Sequence, residues 1–304
     1  MAAWPAYLIV FGWFLFTDGV PLENDVILAW LIGALLTAAA ANGGNPLRVL
    51  RDWLPVAVAL YTYSLLRGYA GHPWFKIHWG PQVRIDKALG LGVTWTNRLQ
   101  YHFLDPAHPH WWDYAAWGVY MTHFFTIFIV LAVLWRRRYQ RFQHLLACYG
   151  VLTFAGYATY VLYPADPPWI AGQDGHLPAV GRLIGPMFDH IGLPLAQAVF
   201  ERGSSFDNDV AAMPSLHSAY PALLLLFFWP VANKWIRALL VAYPLAMATT
   251  LVYSGEHFVV DILAGWTYAA VTYFGVTRLL RRWSGRADRN GSPAVTAAMA
   301  DAVA

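Results

Sequence analysis

Apolar positions gather into eight runs along this chain: 4–16, 26–41, 53–66, 114–135, 144–163, 219–231, 235–253 and 258–280. A helix needs about 20 apolar residues to cross a bilayer, so the runs predict membrane helices. The first, third and sixth runs are short and must borrow from flanking Pro and aromatic residues. Eight spans is the expected count; six, with the first two not crossing, is the fallback. The expected fold class is all-α: a polytopic membrane helix bundle, with a six-helix catalytic core behind two N-terminal helices.

Basic residues orient these spans. Arg48 and Arg51 follow the second run, and Arg136, Arg137, Arg138 and Arg141 follow the fourth. Lys234 and Arg237 stand between the sixth and seventh, and Arg278, Arg281, Arg282 and Arg286 close the last. With eight spans all four clusters fall on one face, which the positive-inside rule makes cytoplasmic. Both termini then lie inside, and the remaining loops are extracytoplasmic.

Composition strengthens the membrane reading. Of 304 residues, 58% are hydrophobic and only 12% charged, too apolar a balance for a soluble domain. The formal net charge of +3 comes from short Arg clusters beside apolar runs, not from a basic stripe, so no nucleic-acid partner is expected. Cys148 is the one cysteine, which excludes a disulfide framework and a thiolate metal site. No cationic stretch precedes the first run, so it reads as a span and not a cleavable signal.

Two long segments stand between the runs. Residues 67–113 mix Lys76, Arg84, Lys87 and Arg98 with five tryptophans, a pattern suited to the headgroup layer. Residues 164–213 are rich in Pro and Gly, and 177–200 is apolar enough for a short interfacial helix; a loop this long beside a site can form its lid or lipid gate. The expected divisions are 1–94 (N-terminal helices and the start of the outer segment), 95–283 (membrane core) and 284–304 (a disordered cytoplasmic tail).

The chemistry concentrates in two places. In Ala211-Ala-Met-Pro-Ser-Leu-His-Ser-Ala-Tyr-Pro221 a polar loop turns into an apolar run, with Pro214 suited to the first helical turn. Helix N-termini favour anions, Ser215 can add a hydroxyl to phosphate oxygens, and His217 can move a proton near neutral pH. Forty residues on, Tyr253-Ser-Gly-Glu-His-Phe-Val-Val-Asp261 leads into the last run. His257 and Asp261, four apart, would share one helical face, where the carboxylate can orient the imidazole. A lone interfacial histidine is usually a packing residue. Two at helix mouths, one beside an Asp, point to phosphoryl transfer without a metal or other cofactor.

His257 is the expected nucleophile, Asp261 its orienting carboxylate, and His217 the general acid and then base. The two histidines can exchange roles; the Asp favours this order. Glu256 is either an acid supporting the site from behind or a solvated neighbour, the second being the expectation. His123, inside the fourth run, either faces the site or bonds to a neighbouring helix. Asp105, His108, His110 and Asp113 have metal-ligand side chains at close spacing, but in a Trp-rich interfacial stretch no metal site is expected.

Pro214-Ser-Leu-His217, and His257-x-x-x-Asp261 followed by Gly265, resemble the second and third signatures of the type-2 phosphatidic acid phosphatase superfamily. The chain is most similar to the branch with fungal inositol phosphorylceramide synthase and sphingomyelin synthase. Leu216 stands where phosphatases usually have Gly, Tyr163-Pro-Ala-Asp-Pro-Pro-Trp169 resembles a Pro-Pro-Trp segment of the inositol enzyme, and Leu251 replaces an Arg six residues before His257. The resemblance covers roughly residues 95–266. It implies a six-helix core, a phosphohistidine on His257, leaving-group assistance from His217 and no metal. The Lys and Arg-Pro of the first signature are missing, since Lys76 and Arg84 stand one residue too far apart. The phosphate's cation is therefore unassigned among Arg84, Arg98, Arg182 and Arg202. Trp169 and Asp166 are substrate-site candidates, Asp166 for a polyol or an acceptor hydroxyl.

The expected activity is that of a lipid phosphotransferase or phosphatase at the outer face, in a bacterial plasma membrane. Its partners are a lipid phosphate or phospholipid substrate, membrane lipids, and an alcohol or polyol acceptor. Water as the sole acceptor makes it a phosphatase; a transporter is the reading from another class.

Overall fold

The computed structural model describes residues 3–70, 74–192 and 208–289. Among these, nearly everything regular is helical: α1 (Ala3–Thr17), α2 (Asn24–Ala41), α3 (Pro46–Ala70), α4 (Gly80–Leu89), α5 (Trp95–Phe103), α6 (Trp111–Arg137), α7 (Tyr139–Leu162), α8 (Pro168–Gln173), α9 (Ile184–His190), α10 (Leu216–Phe228), α11 (Lys234–Tyr253) and α12 (Val259–Arg289). Each of the eight apolar runs is a helix. Five of them (α2, α6, α7, α11 and α12) are long and apolar enough to cross a membrane, and α1 and α10 are shorter apolar helices. The chain is therefore an all-α, multi-pass membrane protein.

The chain divides into two compact units, residues 1–73 with 183–209, and residues 74–182 with 210–304. In the first, α2 packs between α1 and α3. The Tyr7 hydroxyl donates to the Trp30 carbonyl (2.9 Å), and the Phe11 ring meets Trp30 edge-on at 4.8 Å. The run at 53–66 completes its length from the N-terminal side: α3 starts at Pro46, taking Arg48 and Arg51 out of the loop and onto its first turns. α3 falls with α1 and α2, so the unit carrying the site holds five of the six helices expected of the core.

In the second unit α10 packs against α6, α7, α11 and α12. At 13 residues it is about 20 Å long, too short for a hydrocarbon core of about 30 Å. Nine of its residues, from Leu216 to Phe227, are buried, so neighbouring helices solvate it in place of lipid. Its C-terminal end meets the start of α7, where the Arg141 guanidinium donates to the Phe227 carbonyl (3.2 Å). Arg136, Arg137 and Arg138, Lys234 and Arg237, and Arg278, Arg281 and Arg282 gather at this same end.

The long segments contain more helix than expected. Residues 67–113 hold α4 and α5. Residues 164–213 hold α8 and, inside the 177–200 stretch expected to carry a short helix, α9; 193–200 lie outside the described residues. α12 runs on to Arg289, past the expected boundary at Ser284; residues 290–304 are outside the described residues.

Candidate active site

The α10 N-terminus is built around Ser215, which caps it: the hydroxyl accepts from the Ser218 N–H (3.3 Å), and the Ser215 N–H donates to the Asp261 carbonyl (3.0 Å). Because Ser215 takes the cap, Pro214 sits one residue ahead of it and not in the first turn. Its bond to Met213 is cis, and its carbonyl accepts from the Tyr160 hydroxyl (2.8 Å). Ser215 is fully buried, and what it supplies here is the start of the helix that carries His217. α12 crosses α10 closely at Gly265: any Cβ there would run into the Ser215 carbonyl and come within 2.6 Å of the Ser218 hydroxyl oxygen.

His217, half-buried on the first turn of α10, faces α6. The Tyr120 ring lies at 5.2 Å, nearly parallel to it, and the His123 ring at 4.0 Å. Tyr120 and His123 are one turn apart, so one face of α6 forms the wall behind His217. His123 thus lies against His217 and, at 5.4 Å, against Tyr220 of α10.

His257 and His217 have ring centroids 5.6 Å apart. Two loops forty residues apart in sequence thus deliver their imidazoles to one place. His257 and Asp261 do not share a helical face as their spacing predicts, since α12 starts at Val259 and His257 precedes it. The carboxylate reaches back instead. Its Oδ2 accepts from the Phe258 N–H (2.9 Å) and lies 3.7 Å from His257 Nδ1, an electrostatic contact longer than a hydrogen bond. Asp261 is fully buried and His257 nearly so.

The His257 loop is held by residues that the sequence did not single out. Asp86 on α4, also fully buried, accepts from the first N–H of α12 at Val259 (2.9 Å) and the first N–H of α5 at Trp95 (2.8 Å). Burial pushes its carboxyl above the usual carboxylate range, and the two N–H groups oppose that. Phe258 packs with Val83, Ala171 and Leu177. Gln100 donates to the carbonyls of Tyr253 and Gly181 (2.8 Å each) and accepts from the Gly181 N–H (2.9 Å). Gly255, at φ +81°, has its carbonyl bonded to the Trp169 N–H (3.1 Å). Nothing local in the sequence signals that Asp86 or Gln100 holds the His257 loop, because their partners there and at Gly181 lie 81 to 173 residues away.

Residues 163–169 touch both histidine loops. Ala165 bridges in parallel to His78 and to Ala211; its N–H donates to the Val210 carbonyl (2.7 Å) and its carbonyl accepts from Ala212 (3.2 Å). Trp169 binds the Gly255 carbonyl as above. Asp166 is buried, and desolvation with help from Asp174 raises its carboxyl to about 6, His176 opposing.

The arginine candidates separate. Arg182 pairs with Glu256 (Nε to Oε1, 2.9 Å) and lies over the Trp169 ring at 4.6 Å. Glu256 is thus buried and ion-paired, not a solvated neighbour, because the adjacent cation offsets its desolvation. Arg98 donates to the Gly90 carbonyl and lies over Trp95, lining a groove of about 630 Å³ that contains none of the three site histidines. Arg84 is exposed on α4, within electrostatic reach of Tyr163, whose hydroxyl also feels Asp261. Arg202 lies outside the described residues. Asp113 accepts from the His110 N–H (2.7 Å) and from the Tyr253 hydroxyl, whereas Asp105 and His108 pair on the surface. These four residues therefore serve a helix start and a turn.

The chain is 29% identical over 251 residues to phosphoinositol dihydroceramide synthase of Bacteroides thetaiotaomicron, covering 77% of this chain and 79% of that one. It is 26% identical over 196 residues to the inositol phosphorylceramide synthase catalytic subunit of Saccharomyces cerevisiae, covering 57% of this chain and 46% of that one. No solved structure matches it. The sequence profile of the PAP2 superfamily matches residues 83–275, a stretch that contains Asp86, both histidine loops and Gly265, and the chain belongs to that superfamily.

Proposed function

We propose that this protein is an integral-membrane lipid phosphotransferase that moves an inositol-phosphate-like headgroup from a glycerophospholipid to a ceramide-like alcohol through a phosphohistidine. The observation that carries this reading is the pairing of His217 and His257 at 5.6 Å, with the Asp261 carboxylate 3.7 Å from His257 Nδ1. The names of the two relatives support the headgroup and the acceptor.

With Nδ1 turned toward Asp261, His257 Nε2 is the attacking nitrogen. It forms a P–N bond as the P–O bond to the glycerolipid breaks, and His217 gives its proton to the departing oxygen. Asp261 stabilises the positive charge on the ring. In the second half His217 takes the proton of the acceptor hydroxyl, whose oxygen attacks phosphorus as the P–N bond breaks. Arg84 is the described arginine candidate not already matched to a carboxylate or a carbonyl, and we assign it to the phosphoryl oxygens. Metal ions have no part in these steps. The site lies at the end of the helix bundle opposite the Arg and Lys clusters, which supports an outer-face site with basic ends inside. The same position argues against a transporter, whose site would lie near the midplane.

Purified protein supplied with an inositol glycerophospholipid, with and without ceramide, tests this reading. Ceramide-dependent formation of the phosphoinositol lipid, unaffected by chelator and lost in His257→Ala, is expected. Free inositol phosphate as the only product, with ceramide ignored, would make the protein a phosphatase; turnover that survives His257→Ala would remove the mechanism.

A further inference from the structure

We infer that Asp166 is the headgroup-reading residue of this site, its carboxylate accepting hydrogen bonds from the hydroxyls of a polyol attached to the transferred phosphate. This inference rests on the reading above that the protein transfers a phospho-headgroup.

Asp166 is only 4% exposed, yet no donor among the described residues reaches its carboxylate; its single hydrogen bond is from its backbone N–H to the His78 carbonyl (3.0 Å). A buried carboxylate without donors is costly, and fully formed proteins rarely leave one so. Of the other buried carboxylates described in this unit, Asp261, Asp86 and Asp113 accept backbone N–H groups and Glu256 is paired with Arg182. Asp166 is also not sealed away like Asp261 Oδ1, which is enclosed without a partner. Its vacant acceptors suit a ligand that brings its own donors.

Position says which ligand. Ala165, beside it, is bonded to the segment that ends five residues ahead of His217, and Trp169, three residues on, is bonded to the loop two residues ahead of His257. Asp166 thus stands between the supports of both catalytic rings. A phosphate cannot be its partner, because the carboxylate and the nearby Asp174 would repel it. A neutral, hydroxyl-rich group next to the phosphate has the right donors and no opposing charge. Aromatic side chains stand near the acid: His176 is stacked on Trp79 at 3.8 Å, and Trp169 lies beneath Arg182. The raised carboxyl pKa, at about 6, comes from burial and from Asp174, and it agrees with this geometry.

Calorimetric binding to the full-length protein in detergent tests the inference without turnover. Inositol monophosphate is compared with choline phosphate, which carries a phosphate but no hydroxyls, on wild type, Asp166→Ala and Asp166→Asn. Asp166→Ala should weaken the inositol probe at least about tenfold and leave choline phosphate within about twofold. Asp166→Asn, which keeps one acceptor oxygen, should fall between. No preference of the wild type for the inositol probe, or equal losses for both probes, overturns the inference. The catalytic reading is separated by His257→Ala, which should end transfer and keep the inositol preference. In steady-state assays the Asp166→Ala defect should appear in KM for the inositol lipid; a defect confined to KM for ceramide would place the hydroxyls on the acceptor and refute the assignment.

Discussion

Gly265→Ala offers the sharpest test of how the site is built. The added methyl would collide with the Ser215 carbonyl and stand 2.6 Å from the Ser218 hydroxyl oxygen, whereas ordinary contact begins at about 3.4 Å. The Ser218 side chain is small and bonded to the Ser215 carbonyl (3.0 Å), and the carbonyl is backbone, so neither can swing aside cheaply. The helices must part by about 0.8 Å or more at this point, next to the cap from which His217 projects. Overpacking of this kind costs about 1–3 kcal/mol of stability. A misplacement of about 1 Å in a reacting group costs about a hundredfold in rate. We therefore expect kcat to fall about a hundredfold with KM for the lipid donor changed less than about threefold, and the melting temperature in detergent to fall by several degrees. The assay is headgroup transfer from a labelled donor beside a thermal unfolding curve. A variant with wild-type kcat and melting temperature would show that α10 and α12 do not fix the His217–His257 distance.

Three further outcomes are expected. Asp86→Ala orphans the N–H groups of Val259 and Trp95; after relief of the carboxyl's desolvation the net cost is about 2 kcal/mol, seen as a loss of about 4–8 °C in melting temperature together with reduced kcat. An unchanged melting temperature would remove the bridging role. Asp261→Asn should cut kcat by a factor of about 10²–10⁴, since the amide cannot stabilise a cationic His257; a loss under threefold would deny that role. Asp166 has its carboxyl raised from 3.8 to about 6, so the stability it allows is complete below pH 3.8 and is lost as pH rises through about 6. Asp166→Asn cannot charge, so its melting temperature should gain on wild type between pH 4 and pH 7, and a pH-independent difference would contradict the shift.

The eight helices were legible because long apolar runs leave a chain few options in lipid, and the two histidine motifs because both stand at run boundaries. The local geometry was less so. The four-residue spacing of His257 and Asp261 suggested one helical face, whereas the helix starts between them and the side chain reaches backward to the same partner. Pro214 looked like a first-turn residue until Ser215 claimed the cap. Glu256 looked solvated because its partner, Arg182, lies 74 residues away. Asp86 and Gln100 were invisible for the same reason: a polar residue on a short helix gives no sign that its acceptor or donor atoms close a distant loop.

The bonds from Ala165 to 210–212 and from Trp169 to Gly255 give residues 163–169 a part in the gap between the two rings, although neither ring belongs to them. With Asp166 assigned to the headgroup as proposed above, headgroup choice and reaction geometry share these seven residues. A change there that retunes which lipid is accepted will tend to retime the chemistry as well, so new substrate preferences should be reached more readily by altering the walls around Asp166 than by rewriting the tether itself.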